Sequence, residues 1–373
     1  MKILIDIGHP AHVHYFRNFI KIMEKNGHKF LIIAKNRSIV PYLLKYYNIP
    51  FILRKNYPKN IFGKFFQIIF TDLFVIKEVK KFKADLLLGF SGTHVSHAGV
   101  ILNIPSIIFD DTDNANLAHA SYKNFASSIL TPTCFKKKFG KKQIYFNSFM
   151  ELCYLHPKYY KPDSSILNLI GIKKDEKYVI IRFVSWNSNH DLGHKGISQK
   201  NKLKIVKEFS KYARVFISSE KNLPKELKKY EIKFPPEKIH DALAYSNLLF
   251  GESATMASEC ACLGVPSIYH DSIGRGYTEE EEKKYGLVFN FSETNKDQDL
   301  SIKKGIDILN DKNSTKNYKK KRNKILDDKI DVTAFMIWFV ENYPKSKKLM
   351  NENPNYQLKF KEMSKSVKKR LYF

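Results

Sequence analysis

The stretch Gly251-Glu-Ser-Ala-Thr-Met-Ala-Ser-Glu-Cys-Ala-Cys-Leu-Gly-Val-Pro-Ser-Ile268 decides the fold of this chain. It follows an apolar run that ends at Phe250. Its pattern predicts a turn of small residues, a helix that carries Glu259, and a second strand that begins at Ser267. The Leu-Gly-Val-Pro sequence is typical of a helix end followed by a strand. Strand, helix and strand in this order indicate one unit of an α/β protein.

The start of this helix also has the chemistry of a binding site. Backbone N–H groups at a helix N-terminus, approached through small residues, can bind phosphate. A carboxylate such as Glu259, several residues further along, can accept hydrogen bonds from ribose hydroxyls. Together they would fit the diphosphate and ribose of a nucleotide-sugar. An ordinary αβ unit with a Ser or Thr cap and a core-facing Glu explains the same residues equally well.

Short apolar runs alternate with helix-length segments along the whole chain, which predicts parallel sheets covered on both faces. The runs form two groups, separated by the turn-rich segment Tyr154–Lys177. The first group is Ile3–Ile7, Lys29–Ala34, Asp85–Gly89, Ser106–Phe109 and Ser128–Thr131, and the second is Tyr178–Phe183, Ala213–Ser218, Leu248–Gly251, Ser267–Tyr269 and Val288–Phe289.

These groups predict an α/β protein with two Rossmann-like, doubly wound domains. The first spans residues 1–160 and the second 175–340, and a basic C-terminal arm covers 341–373. Ligands of open parallel sheets bind beyond the carboxyl ends of the strands. We therefore expect the two halves to face a common cleft. After Pro344 the chain is polar and basic, and the arm could be loosely attached or could pack back on the first domain.

Composition restricts the class of protein. The 373 residues are 43% hydrophobic and 27% charged, as in a globular protein. The four cysteines have no metal-ligand spacing. The N-terminus lacks the pattern of a signal peptide, and no apolar run is long enough for a spanning helix. These features predict a cytoplasmic protein.

The net charge of +27 has several explanations. Nucleic acid, an anionic membrane and anionic substrates all bind basic proteins, but no nucleic-acid-binding motif is present. The segment Ile61–Phe82 has apolar residues at helical spacing and a basic end. It is either a core helix flanked by lysines or a face that docks on a bilayer, which would place the protein peripherally at the inner face of the plasma membrane.

Three histidines follow the first strand in Asp6-Ile-Gly-His-Pro-Ala-His-Val-His14. Neutral histidine suits the removal of a proton from a sugar hydroxyl near pH 7, so we predict His12 or His14 as the catalytic residue. The spacing cannot rank them. A metal site and structural capping are the alternatives. The spacing is not that of a helical pair of metal ligands, so no metal is predicted.

Two further strand ends carry polar side chains. Asp110 and Asp111 follow the fourth strand, where they could orient an acceptor sugar or act in acid–base catalysis, or could form Asx-turns and caps. Arg182 lies in the first strand of the second half, where it could pair with a diphosphate. Ser185, Trp186 and His190 follow it in the next loop.

In this combination and order, the motifs resemble the two-domain glycosyltransferase fold called GT-B. They are most similar to the DUF354 family of proposed glycosyltransferases, which is related to the non-hydrolysing UDP-N-acetylglucosamine 2-epimerases and to the MurG-type transferase. The resemblance covers about residues 1–340. It is carried by Ile5-Asp-Ile-Gly-His-Pro-Ala-His-Val-His-Tyr-Phe-Arg17, Gly89-Phe-Ser-Gly92, Phe109-Asp-Asp111, His240-Asp-Ala-Leu-Ala and Gly251-Glu-Ser-Ala-Thr-Met-Ala-Ser-Glu259.

The resemblance implies that the C-terminal domain binds the nucleotide-sugar and the N-terminal domain binds the acceptor. The diphosphate would lie on the backbone at Ser253, Ala254, Thr255 and Met256, and the ribose on Glu259. His12 or His14 matches the position that often supplies the base. Asp110-Asp111-Thr-Asp113 stands where the epimerases have a Glu-rich motif, and Arg182 echoes only part of their His-Arg pattern.

We therefore expect a metal-independent glycosyltransferase without a cofactor. It would use a nucleotide-sugar as its donor, with UDP as the expected nucleotide. Its acceptor would be a cell-surface glycan or glycolipid precursor, as in polysaccharide biosynthesis. A UDP-N-acetylglucosamine 2-epimerase is the first alternative, and a non-catalytic protein that binds an anionic polymer is the second.

Overall fold

The computed structural model describes residues 1–55, 61–173, 175–184, 196–220 and 222–361. The chain forms two compact units. The first contains Met1–Tyr154 and the segment that begins at Lys329, and the second contains Leu155–Asp328. Each unit has its own sheet, in which all strand pairs are parallel, so the predicted fold class is confirmed.

The first unit has a seven-stranded sheet. Its elements, in chain order, are β1 (Lys2–Ile7), α1 (Pro10–Lys25), β2 (Lys29–Lys35), α2 (Val40–Tyr46), β3 (Phe51–Arg54), α3 (Ile61–Phe82), β4 (Leu86–Phe90), α4 (Thr93–Leu102), β5 (Ser106–Phe109), α5 (Asn116–Tyr122), β6 (Ser128–Pro132), β7 (Gln143–Phe146) and α6 (Leu152–Leu155). The strand order is β3-β2-β1-β4-β5-β6-β7. This is the doubly wound order, in which the chain reverses direction beside β1 and leaves the β1–α1 loop at the switch point.

The second unit has a five-stranded sheet in the order β12-β11-β10-β8-β9. Its elements are α7 (Ser165–Leu169), β8 (Tyr178–Phe183), α8 (Gln199–Phe209), β9 (Arg214–Ser219), α9 (Ile239–Tyr245), β10 (Leu248–Gly251), α10 (Ala254–Leu263), β11 (Ser267–His270), α11 (Gly276–Glu280), β12 (Val288–Phe291), α12 (Asn295–Asn310) and α13 (Ser314–Asp328). A π-helical turn over Glu281–Tyr285 follows α11. The central strand β10 leads into α10, so the quoted stretch lies at the centre of this sheet.

Both edge strands of the first sheet, β3 and β7, are absent from the sequence prediction. An edge strand pairs on one side only and can leave side chains in solvent. In β3, Ile52 and Leu53 are 36% and 41% exposed. Both strands have four residues and incomplete burial, whereas β5 and β10 have the same length but are buried throughout.

The C-terminal segment differs from its prediction. The helices α14 (Val332–Glu341) and α15 (Lys345–Glu352) belong to the first unit, so the second unit ends near Asp328 rather than at residue 340. The Phe335 ring lies 6.2 Å from the Phe146 ring, and Thr333 Oγ1 donates to the Cys153 carbonyl at 3.1 Å. Residues 345–360 therefore pack back on the first unit, the second of the two alternatives for the arm.

None of the described helices combines the length and apolarity that crossing a bilayer requires.

Candidate functional site

The start of α10 is the opening of an otherwise buried helix. Ser253 is its N-cap, with φ −105° and ψ 109°, and its side chain accepts a hydrogen bond from Met256 N at 3.3 Å. Residues 253–256 are partly exposed, whereas all residues from Ala257 to Leu263 are buried. The first backbone bond of the helix runs from Ala257 N to Ser253 O. The N–H groups of Ala254 and Thr255 therefore have no acceptor within the helix and remain available to an anion.

This geometry corrects one residue of the predicted phosphate site. The N–H group of Met256 donates to the Ser253 side chain, so the cap of the helix already occupies it. The N–H groups offered to a ligand come from Ala254 and Thr255, and Ser253 shapes the turn. The serine cap and the anion site are thus compatible parts of one structure.

Gly251 allows two backbones to approach closely just before this turn. A Cβ atom at position 251 would lie 2.1 Å from the carbonyl oxygen of Arg182 on β8, which no side chain tolerates. In the observed structure, Glu252 N donates to that same carbonyl at 3.0 Å. The Glu252 carboxylate in turn accepts from Val184 N and from Ile197 N, at 3.0 Å and 2.6 Å. Sequence analysis gave Glu252 no role, although it fixes the backbone beside the turn.

Glu259 is buried and paired. Its Oε1 lies 2.9 Å from Nε2 of His240 on α9, and the two side chains are 6% and 3% exposed. The structure thus brings together two segments that the sequence motifs contain separately. Thr255 and Glu259 are four residues apart and lie on one face of the helix. This buried pair fits the core-facing Glu of the alternative interpretation, and a contact between Glu259 and a ribose stays a prediction.

Arg182 is held on the side of the neighbouring edge strand β9. Its Nη1 donates to Ser218 Oγ at 2.7 Å, and its Nη2 donates to Glu220 Oε1 at 2.6 Å. Both terminal nitrogens of the guanidinium therefore have partners in the protein. These bonds use two of its five N–H donors, and Nε has no partner among the described residues, so the contact of Arg182 with a diphosphate stays a prediction. Ser185, Trp186 and His190 lie outside the described residues.

His270 ends β11 in the same sheet. Its ring is fully buried, and neither ring nitrogen has a hydrogen-bond partner among the residues that the structure describes. The ring centroid lies 4.9 Å from that of Phe250 and 6.0 Å from that of Phe291. Burial lowers the pKa of His270 from 6.5 to about 4. The ring is therefore neutral at physiological pH.

In the first unit, His12 lies at the switch point of the sheet. Its Nδ1 accepts a hydrogen bond from Gly8 N at 3.3 Å, and its ring centroid lies 4.8 Å from that of Phe90. Burial, followed by the positive charges of His9, Arg37 and Arg54, holds the pKa of His12 well below its usual range. Because Nδ1 accepts, the neutral ring carries its proton on Nε2. In this tautomer His12 Nε2 can donate a hydrogen bond, whereas the predicted base would need an unprotonated Nε2.

Arg54, at the end of β3, lies beside His12 and pairs with Asp6 at the end of β1. The distance from Nη1 to Asp6 Oδ2 is 3.2 Å, and the side chains of Arg54 and Asp6 are 10% and 7% exposed. Among the described residues, Arg54 Nε and Asp6 Oδ1 have no hydrogen-bond partner. Arg54 Nη2 would lie 3.7 Å from a Cβ placed on Gly8. The sequence analysis did not identify Arg54 because it did not predict β3. A cation at the end of the apolar run Phe51-Ile-Leu-Arg54 could have indicated both the strand and the site residue.

His14 is less suited to contact a substrate. It is 6% exposed, its Nδ1 lies 3.4 Å from Arg17 Nη1, and its ring stacks on Tyr154 with centroids 5.2 Å apart. Since arginine can only donate, His14 Nδ1 accepts this bond. The structure therefore separates the two histidines that spacing could not rank, and His12 is the one at the open end of the sheet.

Asp110 forms the Asx-turn that was the alternative to a catalytic role. It is completely buried, and it accepts hydrogen bonds from Thr112 N at 2.9 Å, from Ser91 Oγ at 2.8 Å and from the Tyr122 hydroxyl at 2.5 Å. Burial raises the pKa of Asp110. With no exposed surface, Asp110 cannot contact a substrate in this structure, and its predicted catalytic role is corrected to a structural one.

Asp111 is 6% exposed and lies in a polar cluster. Thr112 Oγ1 donates to its Oδ1 at 3.1 Å, and the Tyr15 hydroxyl lies 3.5 Å from its Oδ2 and 3.4 Å from Glu151 Oε1. The Tyr15 ring stacks on His12 at 6.3 Å. The structure thus connects Asp111 to His12 through one tyrosine, and an acceptor-orienting role for Asp111 stays a prediction.

No group of three or more His, Cys, Asp or Glu side chains in the described parts of the chain is arranged to hold a metal ion.

The chain matches a known protein family and a protein of known sequence. Residues 1–337 match the family described as "Protein of unknown function (DUF354)". The uncharacterized protein MJ0665 of Methanocaldococcus jannaschii is 25% identical over 279 residues, which is 72% of this chain and 81% of that protein.

Solved structures of two kinds of enzyme share the fold. The UDP-GlcNAc 2-epimerase of Methanocaldococcus jannaschii has a TM-score of 0.60 and 14% identity, over 87% of this chain and 99% of that one. The spinosyn rhamnosyltransferase SpnG has a TM-score of 0.61 and 12% identity, over 92% and 100%. At these identities the likeness establishes the two-domain architecture of these enzymes. The match over residues 1–337 establishes the family: the chain belongs to DUF354.

Proposed function

We propose that this protein is a glycosyltransferase that moves a sugar from a nucleotide donor, expected to be a UDP-sugar, to a glycan or glycolipid precursor. The first turn of α10 is the observation that supports it most. Ala254 and Thr255 offer N–H groups without helical acceptors, on a face that also carries Glu259. A nucleoside diphosphate is a ligand that needs both kinds of group.

The same turn suits the chemistry of glycosyl transfer. When the sugar leaves, negative charge grows on the diphosphate, and N–H groups together with the positive end of the helix dipole stabilise that charge. The nucleotide-sugar is a substrate in this scheme, so no separate cofactor or metal takes part. Arg182 can add to this stabilisation, because Ser218 and Glu220 use only two of its five N–H donors.

The first unit would bind the acceptor around His12. Through Nε2–H, His12 would donate to an oxygen of the acceptor, and Phe90 beside it offers an apolar ring face to a sugar. We therefore propose His12 as an acceptor-binding residue rather than as the base. As the acceptor oxygen bonds to the sugar and the bond from the sugar to the diphosphate breaks, the hydroxyl proton then passes to an oxygen of the departing diphosphate.

The substitution Ala254→Pro tests the donor half of the proposal. Proline at the first helical position removes one N–H group but keeps the helix, and the extended backbone of Ser253 suits a residue before proline. We expect UDP to bind about tenfold more weakly, as for the loss of one hydrogen bond to a charged group. Ala254→Ser retains the N–H group and is the matched control. If Ala254→Pro and Ala254→Ser bind UDP with equal affinity in calorimetry, the backbone N–H group of residue 254 does not bind the diphosphate.

A second experiment separates the candidate activities. Incubation with UDP-N-acetylglucosamine alone should leave the sugar unchanged if the protein is a transferase, and should yield an epimer if it is an epimerase. Release of UDP that depends on an added acceptor would support transfer. Absence of any nucleotide binding would favour a protein that binds an anionic polymer.

We also propose that α3 contacts an anionic membrane near a lipid-linked acceptor. The later part of the helix packs Val75 and Val79 into the core. Its earlier part exposes large apolar side chains, and its end is basic and exposed at Lys80 and Lys81. The exposed apolar side chains, between 40% and 57% accessible, are Phe66, Ile68, Ile69, Phe70 and Leu73. The interpretation as a core helix fits the later part of α3, and the exposed earlier part supports the proposed membrane contact.

Vesicle co-sedimentation tests this contact. We expect binding to phosphatidylglycerol vesicles and little binding to phosphatidylcholine vesicles, because each basic residue near an anionic surface contributes about 1 kcal/mol. The double substitution Phe70→Ser/Leu73→Ser should weaken binding. Leu300→Ser, at a residue of α12 that is 46% exposed, is the control. Unchanged binding of the double variant would contradict the proposal.

A further inference from the structure

At the loop end of the first sheet, a buried arginine has a donor that its carboxylate partner does not use. Arg54 pairs with Asp6, and the charges of both Arg37 and Arg54 act on His12. Arg37 is exposed, whereas nine-tenths of the Arg54 side chain is buried. A buried guanidinium normally has partners for its nitrogens, because an unpaired charged donor is costly. Arg54 instead retains Nε without a partner among the described residues.

The unused donors of this corner share one neighbourhood. Arg54 Nη2 lies 3.7 Å from the position of a Gly8 Cβ, and His12 Cε1 lies 3.9 Å from the same point. Since Gly8 N occupies His12 Nδ1, the proton of the neutral ring is on Nε2. Arg54 and His12 can therefore both donate here, and Gly8 leaves room because it has no side chain. A group that accepts several hydrogen bonds and carries negative charge fits such a set of donors.

We propose that the acceptor substrate carries an anionic group, a carboxylate or a phosphate, which Arg54 binds beside His12, with the exposed Arg37 as a second positive charge. This inference rests on the proposed function for the acceptor, but the anion subsite belongs to the first unit alone. It defines the acceptor class as acidic sugars or sugar phosphates. Asp6 holds Arg54 in place from the other side, so it is a positioning residue.

The subsite can be tested on the full chain labelled with ¹³C-histidine. The His12 Cε1–H resonance, assigned by its absence in His12→Gln, reports on charge near the ring. The probes are methyl glucuronide, glucose 6-phosphate and the uncharged methyl glucoside. We expect the two acidic sugars to bind and to raise the pKa of His12, because an anion offsets the arginine charges. The acidic sugar with the lower dissociation constant identifies the carboxylate or the phosphate as the preferred group.

Arginine variants provide the controls. Arg54→Gln should weaken the binding of acidic sugars at least about tenfold, the effect of a lost hydrogen bond to a charged group. Because this change leaves Asp6 buried without its partner, the exposed Arg37→Gln is the second variant, with a smaller loss expected. Arg214→Gln, at an exposed arginine of the second unit that donates to the Gly171 carbonyl, should bind like the wild type.

Three results would overturn the inference. One is equal binding of acidic and uncharged sugars, and another is full affinity in both Arg54→Gln and Arg37→Gln. The third is displacement of the acidic sugars by saturating UDP, since the subsite would then bind the phosphates of the donor. UDP binding, measured separately, distinguishes the two proposals. A chain that binds acidic sugars but no UDP retains the anion subsite and loses the proposed transferase activity.

Discussion

The two units present different kinds of chemistry at the loop ends of their sheets. In the second unit, backbone N–H groups of Ala254 and Thr255 open a helix, with one buried carboxylate, Glu259, on the same face. In the first unit, side chains of His12 and Arg54 supply the donors. A backbone site depends on chain geometry and tolerates many side chains. A side-chain site depends on which residues distant segments bring together.

This difference explains what each site can discriminate. Backbone amides at a helix start recognise any phosphate, which suits a nucleotide diphosphate. Arginine and histidine side chains vary from protein to protein, which suits the choice of an acceptor. We therefore expect substitutions of the backbone site to affect the fold and the donor together, and substitutions of the side-chain site to affect the acceptor alone.

The largest effect is expected for Gly251→Ala, which disturbs the backbone just before the start of α10. Its new Cβ would lie 2.1 Å from the Arg182 carbonyl oxygen, so β8 and β10 must separate. We expect the free energy of unfolding to fall by at least about 3 kcal/mol, with loss of UDP binding. Gly140→Ala, at φ +72° with no atom within 4 Å of its Cβ, should cost only about 1 kcal/mol. Similar losses in chemical denaturation of the two variants would show that the close approach is unimportant.

The second unit should also carry a pH dependence that comes from His270. Its pKa of about 4 lies below the unfolded value of 6.5, so as pH falls through this range the unfolded chain binds a proton that the folded chain refuses. The free energy of unfolding should fall by up to about 3 kcal/mol between pH 6.5 and about 4. His270→Phe should remove this slope and raise stability, because both buried ring nitrogens lack partners among the described residues. An unchanged slope in denaturation at several pH values would contradict the assignment.

Glu259→Ala sharpens the donor side of the comparison. The variant should bind UDP more weakly by about 1.5–3 kcal/mol in calorimetry, the range for hydrogen bonds to a charged group. Glu220→Ala is the matched control, since that carboxylate pairs with Arg182 on the neighbouring edge strand. The idea that Glu259 holds the ribose fails if both variants bind UDP like the wild type. A gain of affinity in Glu220→Ala would support the contact of Arg182 with the diphosphate.

The smallest effect is expected at His12 and separates its two roles. If His12 donates through Nε2, His12→Gln retains a donor and should keep acidic-sugar binding within about threefold, whereas His12→Ala should lose about tenfold. If His12 is the base, both variants lose acceptor-dependent UDP release equally. UDP affinity should not change in either variant, because the proposed donor site is built from the second unit. Sugar binding and UDP release, measured on both proteins, decide between the roles.

The predictions succeeded where the structure is local. The ten predicted strands are present, and the helix after Gly251 begins with its serine cap, because periodicity and capping act over a few neighbouring residues. They failed where remote contacts decide the outcome. The helix Val332–Glu341 was assigned to the second half by its position in sequence, but its apolar face packs on the first unit. Apolar periodicity indicates that a helix is buried without indicating against which core.

The site residues divide in the same way. The sequence alone determined that a small-residue turn opens a helix carrying Glu259, since capping and helical spacing are written in consecutive residues. Only the tertiary structure decided that Ser91 and Tyr122 donate hydrogen bonds to the buried Asp110. It also decided that Arg54 donates to Asp6, 48 positions earlier in the chain. Folding a parallel sheet places distant strand ends side by side. The charges and hydrogen bonds that assign a role to each side chain therefore arise only after the strands have paired.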